Sequence, residues 1–217
     1  MNKEVIESLK SLENVTVVAV SKTRTKEEID AVAKMGLTVF GENKVQEFVD
    51  KYDSRYTWHI IGHLQTNKVK YIIGKVDVIE SLDSIKLAKE IEKHAIKQNV
   101  IQQCLIQIKI SDDEMKTGLP YQQALDFLEE MKNYPHIEIK GFMCVASNTD
   151  DESLIIEEFD KMNKLFDEAK KKDNNIDTLS MGMSDDYKLA IKHGSNMIRV
   201  GSAIFGKRDY SKKDITD

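Results

Sequence analysis

The sequence predicts an α/β fold, a single (β/α)8 TIM barrel, on three observations. Short β-branched runs alternate with longer runs that are apolar at every third or fourth position, the rhythm of parallel strands joined by helices. Eight strand runs can be counted, at residues 15–20, 37–41, 57–62, 76–80, 101–108, 137–145, 176–180 and 197–200. Ser21-Lys22-Thr23-Arg24, after the first run, contains no glycine, which makes a doubly wound open sheet with a phosphate-binding first turn the weaker alternative. The 217 residues are lean for a barrel, which typically has about 250.

The elements follow in order. An extra N-terminal helix, with Val5, Leu9 and Leu12 on one face, precedes the first strand and is placed to close the bottom of the barrel. Thr25 to Met35 opens with a Thr-x-x-Glu capping box, Thr25 and Glu28, and carries Ile29, Val32 and Ala33 on one face, so it is a helix. Residues 84–98 place Ile85, Ala88, Ile91 and Ala95 at helical spacing, and residues 151–172 do so from Leu154 through Phe159 and Phe166 to Ala169. The final SKKDITD reads as a frayed polar tail. No repeat, low-complexity tract or Pro/Gly-rich linker divides the chain, so residues 1–217 are expected to form one domain.

Composition narrows the partners. Lys plus Arg total 32 against 37 Asp plus Glu, a net charge of −5 with no basic block, which is not the footprint of a nucleic-acid binder. Cys104 and Cys144 lie in apolar runs, outside any CxxC or Cys/His cluster, and read as buried reduced thiols. The opening MNKEVIESLK lacks the apolar stretch of a signal peptide, and no run approaches the roughly 20 residues of a membrane helix, so a cytoplasmic protein is expected.

In a barrel the working rim is the C-terminal end of the strands. Period-2 alternation puts Thr16, Val18, Val20 and Lys22 on one face and Val17, Ala19 and Ser21 on the other. If Val20 faces the interior, so does Lys22. A lysine above apolar residues has its ammonium form disfavoured, which leaves free amine to attack a carbonyl and form a Schiff base. The bland alternative is a lysine that reaches solvent or pairs with a carboxylate. Further along, LSMGMSDDYKLAIKHGSNMIRVGSAIFG puts Gly/Ser turns after the seventh and eighth predicted strands, the places where barrels commonly hold a phosphate. Ser184 is placed to cap a helix starting at Asp185, with Gly201 and Ser202 at the entrance to a second helical segment. Two carboxylates beside a phosphate repel it unless they turn away.

The runs VAVSKT, FGENKVQE, WHIIGHLQTNK, GFMC and LSMGMSDDYKLAIKHGSNMIRVGSAIFG, in this order from about residue 14 to residue 210, resemble the pyridoxal phosphate homeostasis (PLP-binding) protein family. The resemblance implies a fold-type III barrel similar to the N-terminal domain of alanine racemase, with pyridoxal 5′-phosphate (PLP) held as a Schiff base on Lys22. It further implies Arg199 near the pyridine nitrogen, Ser184, Gly201 and Ser202 at the phosphate, and Asn43, His63 and Met143 lining the pocket. His63 as a second-layer residue and Met143 as plain core stand beside those roles. Lys44 stands where the family commonly has tyrosine and Lys109 where it has asparagine.

What the family implies is a monomer in vitamin B6 and amino-acid homeostasis, a non-catalytic holder of PLP with PLP-dependent apoenzymes as recipients. A small racemase-like PLP enzyme is the alternative, and a Schiff-base aldolase without PLP a third reading. Seventeen residues follow Val200, too few for the additional β-domain that completes the racemase site.

Overall fold

A computed structural model describes residues 1–111 and 116–206; the polar tail expected at the C-terminus lies outside them. Among the described residues there are nine strands: β1 (Thr16–Val20), β2 (Val39–Glu42), β3 (Thr57–Ile60), β4 (Val78–Leu82), β5 (Gln102–Lys109), β6 (Leu119–Pro120), β7 (Ile137–Cys144), β8 (Thr178–Ser180) and β9 (Met197–Val200). Every pairing is parallel, in the order β4-β3-β2-β1-β9-β8-β7-β5, and the β4–β5 pairing closes the ring. The eight predicted strands are thus the eight staves of a closed barrel. β6 was not expected. It is a two-residue ribbon laid on the end of β5, where Ile108 and Lys109 pair with Leu119 and Pro120.

Alternation divides the strand residues as expected. Val18, Val78, Leu105, Met143 and Met197 pack together inside the barrel, while Val17, Ala19, Phe40, Trp58, Ile60 and Ile79 face the surrounding helices. The outer layer is anchored by Trp58, whose ring lies 5.6 Å from those of Phe40 and Phe48 and whose Nε1–H donates to the Asp53 carbonyl at 2.9 Å.

The helices are α1 (Lys3–Lys10), α2 (Lys26–Lys34), α3 (Val45–Lys51), α4 (Ile85–Gln98), α5 (Ala124–Glu130), α6 (Glu152–Lys170), α7 (Tyr187–Lys192) and α8 (Ser202–Phe205). The capping box of α2 is formed in both directions, Thr25 Oγ1 accepting from the Glu28 N–H and Glu28 Oε2 from the Thr25 N–H. Between β3 and β4 the crossover is only a 3-10 helix over Thr66–Tyr71, one reason the barrel closes in so few residues.

The position of α1 differs from expectation. It lies on the flank: the Asn2 N–H donates to the Ile204 carbonyl in α8, and Lys10 reaches Gly36 just before β2. Ile6 and Leu9 are buried there. α8 is only four residues long, and α1 packs beside it near the paired first and last strands.

Candidate functional site

At the C-terminal rim, a cavity of about 170 Å³ is lined by Val20, Lys22, Arg24, Met183, Ser184, Asp185, Arg199, Gly201 and Ser202. Five residues singled out in the sequence, Lys22, Ser184, Arg199, Gly201 and Ser202, are therefore brought to one place. Lys22 stands two residues beyond the end of β1, and Arg199 pairs in register with Val18 of that strand.

The segment carrying Lys22 is pinned on both sides from behind the barrel wall. Ser21 Oγ donates to Glu42 Oε1 at 2.6 Å, and the Ser21 carbonyl accepts from Lys51 Nζ at 2.9 Å. The Thr23 N–H donates to Glu47 Oε2 at 2.6 Å. Lys51 joins the two carboxylates, 3.0 Å from Glu42 and 2.7 Å from Glu47. These bonds hold Thr23 in the left-handed region, φ 65°, which a β-branched residue enters only under constraint. Burial pushes the Glu42 carboxyl up, against the opposing charge of Lys51 and the hydrogen bonds from Ser21 and Lys51. Burial also acts on Glu47, but bonds from Lys51 and the Thr23 N–H outweigh it and hold that carboxyl down.

The opposite wall is built from backbone. The expected helix start at Asp185 is not formed; α7 begins at Tyr187, and Ser184 does not cap it. Asp186 turns back instead, accepting from the Met183 N–H at 2.6 Å. Ser184 is left to reach across to the start of α8, where its Oγ accepts from the N–H groups of Gly201 at 3.1 Å and Ala203 at 3.4 Å. Two donors thus converge on one oxygen. Gly201 lets the backbone come close: a Cβ there meets the Val20 Cβ at 3.2 Å. Gly182, at φ 95°, turns the chain out of β8 where a side chain collides with Ala190. Of the two aspartates expected to repel an anion, Asp186 is engaged by its own turn, whereas Asp185 is exposed on the cavity wall.

Arg24 was missed by the sequence reading. It donates to the Gly206 carbonyl at 2.7 Å, lies 3.4 Å from Glu28 and 5.5 Å from the Phe205 ring centre, and so ties the loop after β1 to α8. Its signal was period-2 spacing from Lys22, obscured because alternation is not expected to continue into a loop.

The other three candidates lie elsewhere. Asn43 and His63 line a separate cavity of about 330 Å³ with Lys44, Gln46, Gln65 and Lys68. His63 is half exposed, 3.7 Å from Asp83. Met143 is fully buried in the interior cluster with Val18 and Met197. Lys109 ends β5 on the rim. Both cysteines are buried and unpaired; burial raises both thiols, Cys144 to about 12. Among the described residues no helix is long and apolar enough to cross a membrane, and no cluster of metal-ligating side chains is present.

Comparison with known proteins extends these observations. The sequence matches the family described as alanine racemase, N-terminal domain, over residues 2–209. The pyridoxal phosphate homeostasis protein of Pasteurella multocida is 41% identical over 206 residues, covering 91% of this chain and 88% of that one. Its Escherichia coli counterpart is 36% identical over 214 residues, covering 94% and 90%. PipY of Synechococcus elongatus, solved with PLP bound, superposes with a TM-score of 0.84 at 29% identity over 94% of this chain and 99% of its own; without PLP the TM-score is 0.89, over 95% and 100%. Alanine racemase of Clostridium difficile shares the fold, with a TM-score of 0.75 at 13% identity, covering 97% of this chain and 56% of the racemase. With a closed parallel barrel and relatives of this identity along nearly the whole chain, the protein belongs to the pyridoxal phosphate homeostasis protein family, built on the alanine racemase N-terminal domain fold.

Proposed function

We propose that this protein binds PLP, holds it covalently through Lys22, and serves PLP and amino-acid homeostasis without turning over a substrate. One observation carries the reading: a lysine, a guanidinium and the Ser184, Gly201 and Ser202 turn residues share a single cavity. The N–H groups of Gly201 and Ala203 already meet on a serine oxygen, so the turn suits an anionic oxygen, and Ser184 and Ser202 add hydroxyls. When bound, PLP supplies an aldehyde carbon that an amine attacks with loss of water. Lys22 provides that amine, while Ser184, Gly201 and Ser202 hold the phosphate and Arg199 lies at the pyridine nitrogen. Asn43 and His63, in a separate cavity, and Met143, in the interior cluster, keep only the pocket-lining role that the family resemblance implies.

Absence of turnover is supported by Arg199. A guanidinium is always protonated, so beside the ring nitrogen it disfavours protonation and weakens the ring as an electron sink. Among the described residues the cavity wall carries no tyrosine or histidine to serve as a second acid–base partner for Lys22. The role implied is storage and delivery to PLP-dependent apoenzymes in the cytoplasm, where the two thiols stay reduced.

The test is the visible spectrum of the PLP-loaded protein before and after borohydride, with peptide mass mapping. A bleached band and a phosphopyridoxyl mass on the Lys22 peptide are expected, whereas Lys22→Ala loses both and keeps weaker, reversible PLP binding. An unchanged band in Lys22→Ala refutes the assignment. Sustained deuterium exchange at the α-carbon of added amino acids favours the racemase-like alternative.

A further inference from the structure

Four buried polar side chains form a chain inside the barrel that the assignment above leaves unexplained. Arg199 donates from Nη2 to the Cys144 carbonyl at 2.7 Å and from Nη1 to Ser180 Oγ at 2.5 Å. The Ser180 hydroxyl donates to Glu80 Oε2 at 2.6 Å, and Glu80 Oε1 meets His59 Nδ1 at 2.6 Å. Arg199 and Glu80 are 3.8 Å apart. Exposure is 3% for Arg199, 2% for His59 and 0% for Ser180 and Glu80.

Charges in such a place are costly, and apolar residues of similar volume commonly fill it as well or better. Beside it the interior carries such an apolar cluster, Val18, Val78, Leu105, Met143 and Met197. What distinguishes this chain of bonds is its upper end, because Arg199 also lines the rim cavity.

A serine hydroxyl has one hydrogen. With that hydrogen committed to Glu80, Ser180 offers Arg199 only lone pairs, and the guanidinium is fixed at two points on its barrel side. Its remaining N–H groups are those left for the cavity. The titratable group facing Glu80 is His59 from β3 and the charged one is Arg199 from β9, and the carboxylate offsets the arginine's charge.

We infer that Glu80 is the positioning residue of Arg199: through Ser180 it orients the guanidinium, and through its charge it sets how positive the cavity is beside Arg199. The inference rests on the reading of that cavity as the PLP site.

The experiment titrates the visible band of PLP-loaded wild type, Glu80→Gln, Arg199→Gln and the double variant. In Glu80→Gln the guanidinium is uncompensated and disfavours a nearby proton, so the midpoint is expected about one pH unit lower, roughly a tenfold loss of proton affinity. The double variant is expected close to Arg199→Gln alone, because Glu80 acts through the guanidinium and has nothing to orient or offset once it is gone. An unmoved midpoint in Glu80→Gln, or an equal shift when Arg199→Gln is the background, overturns the inference.

Ser180→Ala keeps both charges and serves if Glu80→Gln fails to fold. It is expected to release PLP several-fold faster at an unchanged midpoint, and an unchanged release rate refutes the positioning role. A wild-type chain that develops no band with PLP refutes the underlying reading instead, so the two failures are distinct.

Discussion

Two glutamates flank the cavity, both with fully buried side chains, and their environments act in opposite directions. Glu42 follows Phe40 on the outward face of β2, and Glu80 follows Val78 on the inward face of β4. Both carboxylates lose water, and both have a cation within 4 Å. The second oxygen decides the difference. Glu80 has a hydrogen bond on each oxygen, from His59 and Ser180, whereas Oε2 of Glu42 has no partner among the described residues. Burial therefore prevails at Glu42 and raises its pKa. At Glu80 burial is outweighed by His59, then by Arg199 and Ser180, and the pKa falls. Compensating a buried carboxylate takes donors for both oxygens as well as a nearby charge.

The signs differ accordingly. Glu80 contributes stability that is present above its unfolded value, about 4.3, and is lost as pH drops through the lower folded value. Glu42 contributes stability below about 4.3 that is lost as pH rises through its higher folded value.

The most severe way to break the comparison is Lys51→Met, which leaves Glu42 buried without its cation and frees Glu47. A loss of about 3–5 kcal/mol is expected at neutral pH, the cost of removing one partner from a buried pair. Urea denaturation near neutrality and again at about pH 4 checks the cause: the loss shrinks in acid if it reflects Glu42 charge and stays constant if it reflects packing. The same variant is expected to slow PLP capture, because the Ser21 carbonyl loses its bond to Lys51 and Glu47, which holds the Thr23 N–H, loses its ion pair.

Ser184→Ala has a smaller effect because the opposite wall is built from backbone near solvent. Removing the hydroxyl takes an acceptor from Gly201 and Ala203 at a cost of about 1 kcal/mol in thermal unfolding. If Ser184 also touches the phosphate, PLP affinity falls about tenfold, about 1.4 kcal/mol by the usual conversion. A stability loss exceeding that of Lys51→Met means that this turn, and not the ion network behind β1, holds the rim together.

Both walls were visible in the sequence to different degrees. Lys22 was legible because period-2 alternation and the rim rule of barrels carry a residue's direction from its neighbours, whereas Arg199 was singled out through the family resemblance. Ser184 was placed at the right turn but given the wrong target. Capping is a local rule, and its acceptor role spans 17 positions, to Gly201. Glu80 and Ser180 were illegible, since they sit inside ordinary strand runs and find each other 100 residues apart. Lys51 was not singled out: it ends α3, where a cation suits the helix dipole whether or not it has a buried partner, so its local sequence carries no signal of the ion network. β6 was too short to leave a pattern, and the place of α1 follows tertiary contacts such as that of the Asn2 N–H with the Ile204 carbonyl, which no local pattern announces.

The least disruptive change is also the most discriminating. Glu42→Gln keeps the shape of the side chain and a hydrogen-bonding oxygen for Ser21 while removing the charge that burial disfavours. Lys51 retains Glu47 at 2.7 Å and the Ser21 carbonyl at 2.9 Å, so it is not stranded. The expected change at neutral pH is under about 1 kcal/mol, because the lost attraction and the relieved desolvation oppose each other. At Glu80 the same substitution removes an acceptor from a network satisfied on both oxygens, and the loss is larger. Paired urea titrations of the two variants measure that contrast. Equal losses mean that Glu42 is as well compensated as Glu80, through a donor on its second oxygen, and the distinction between the two carboxylates fails.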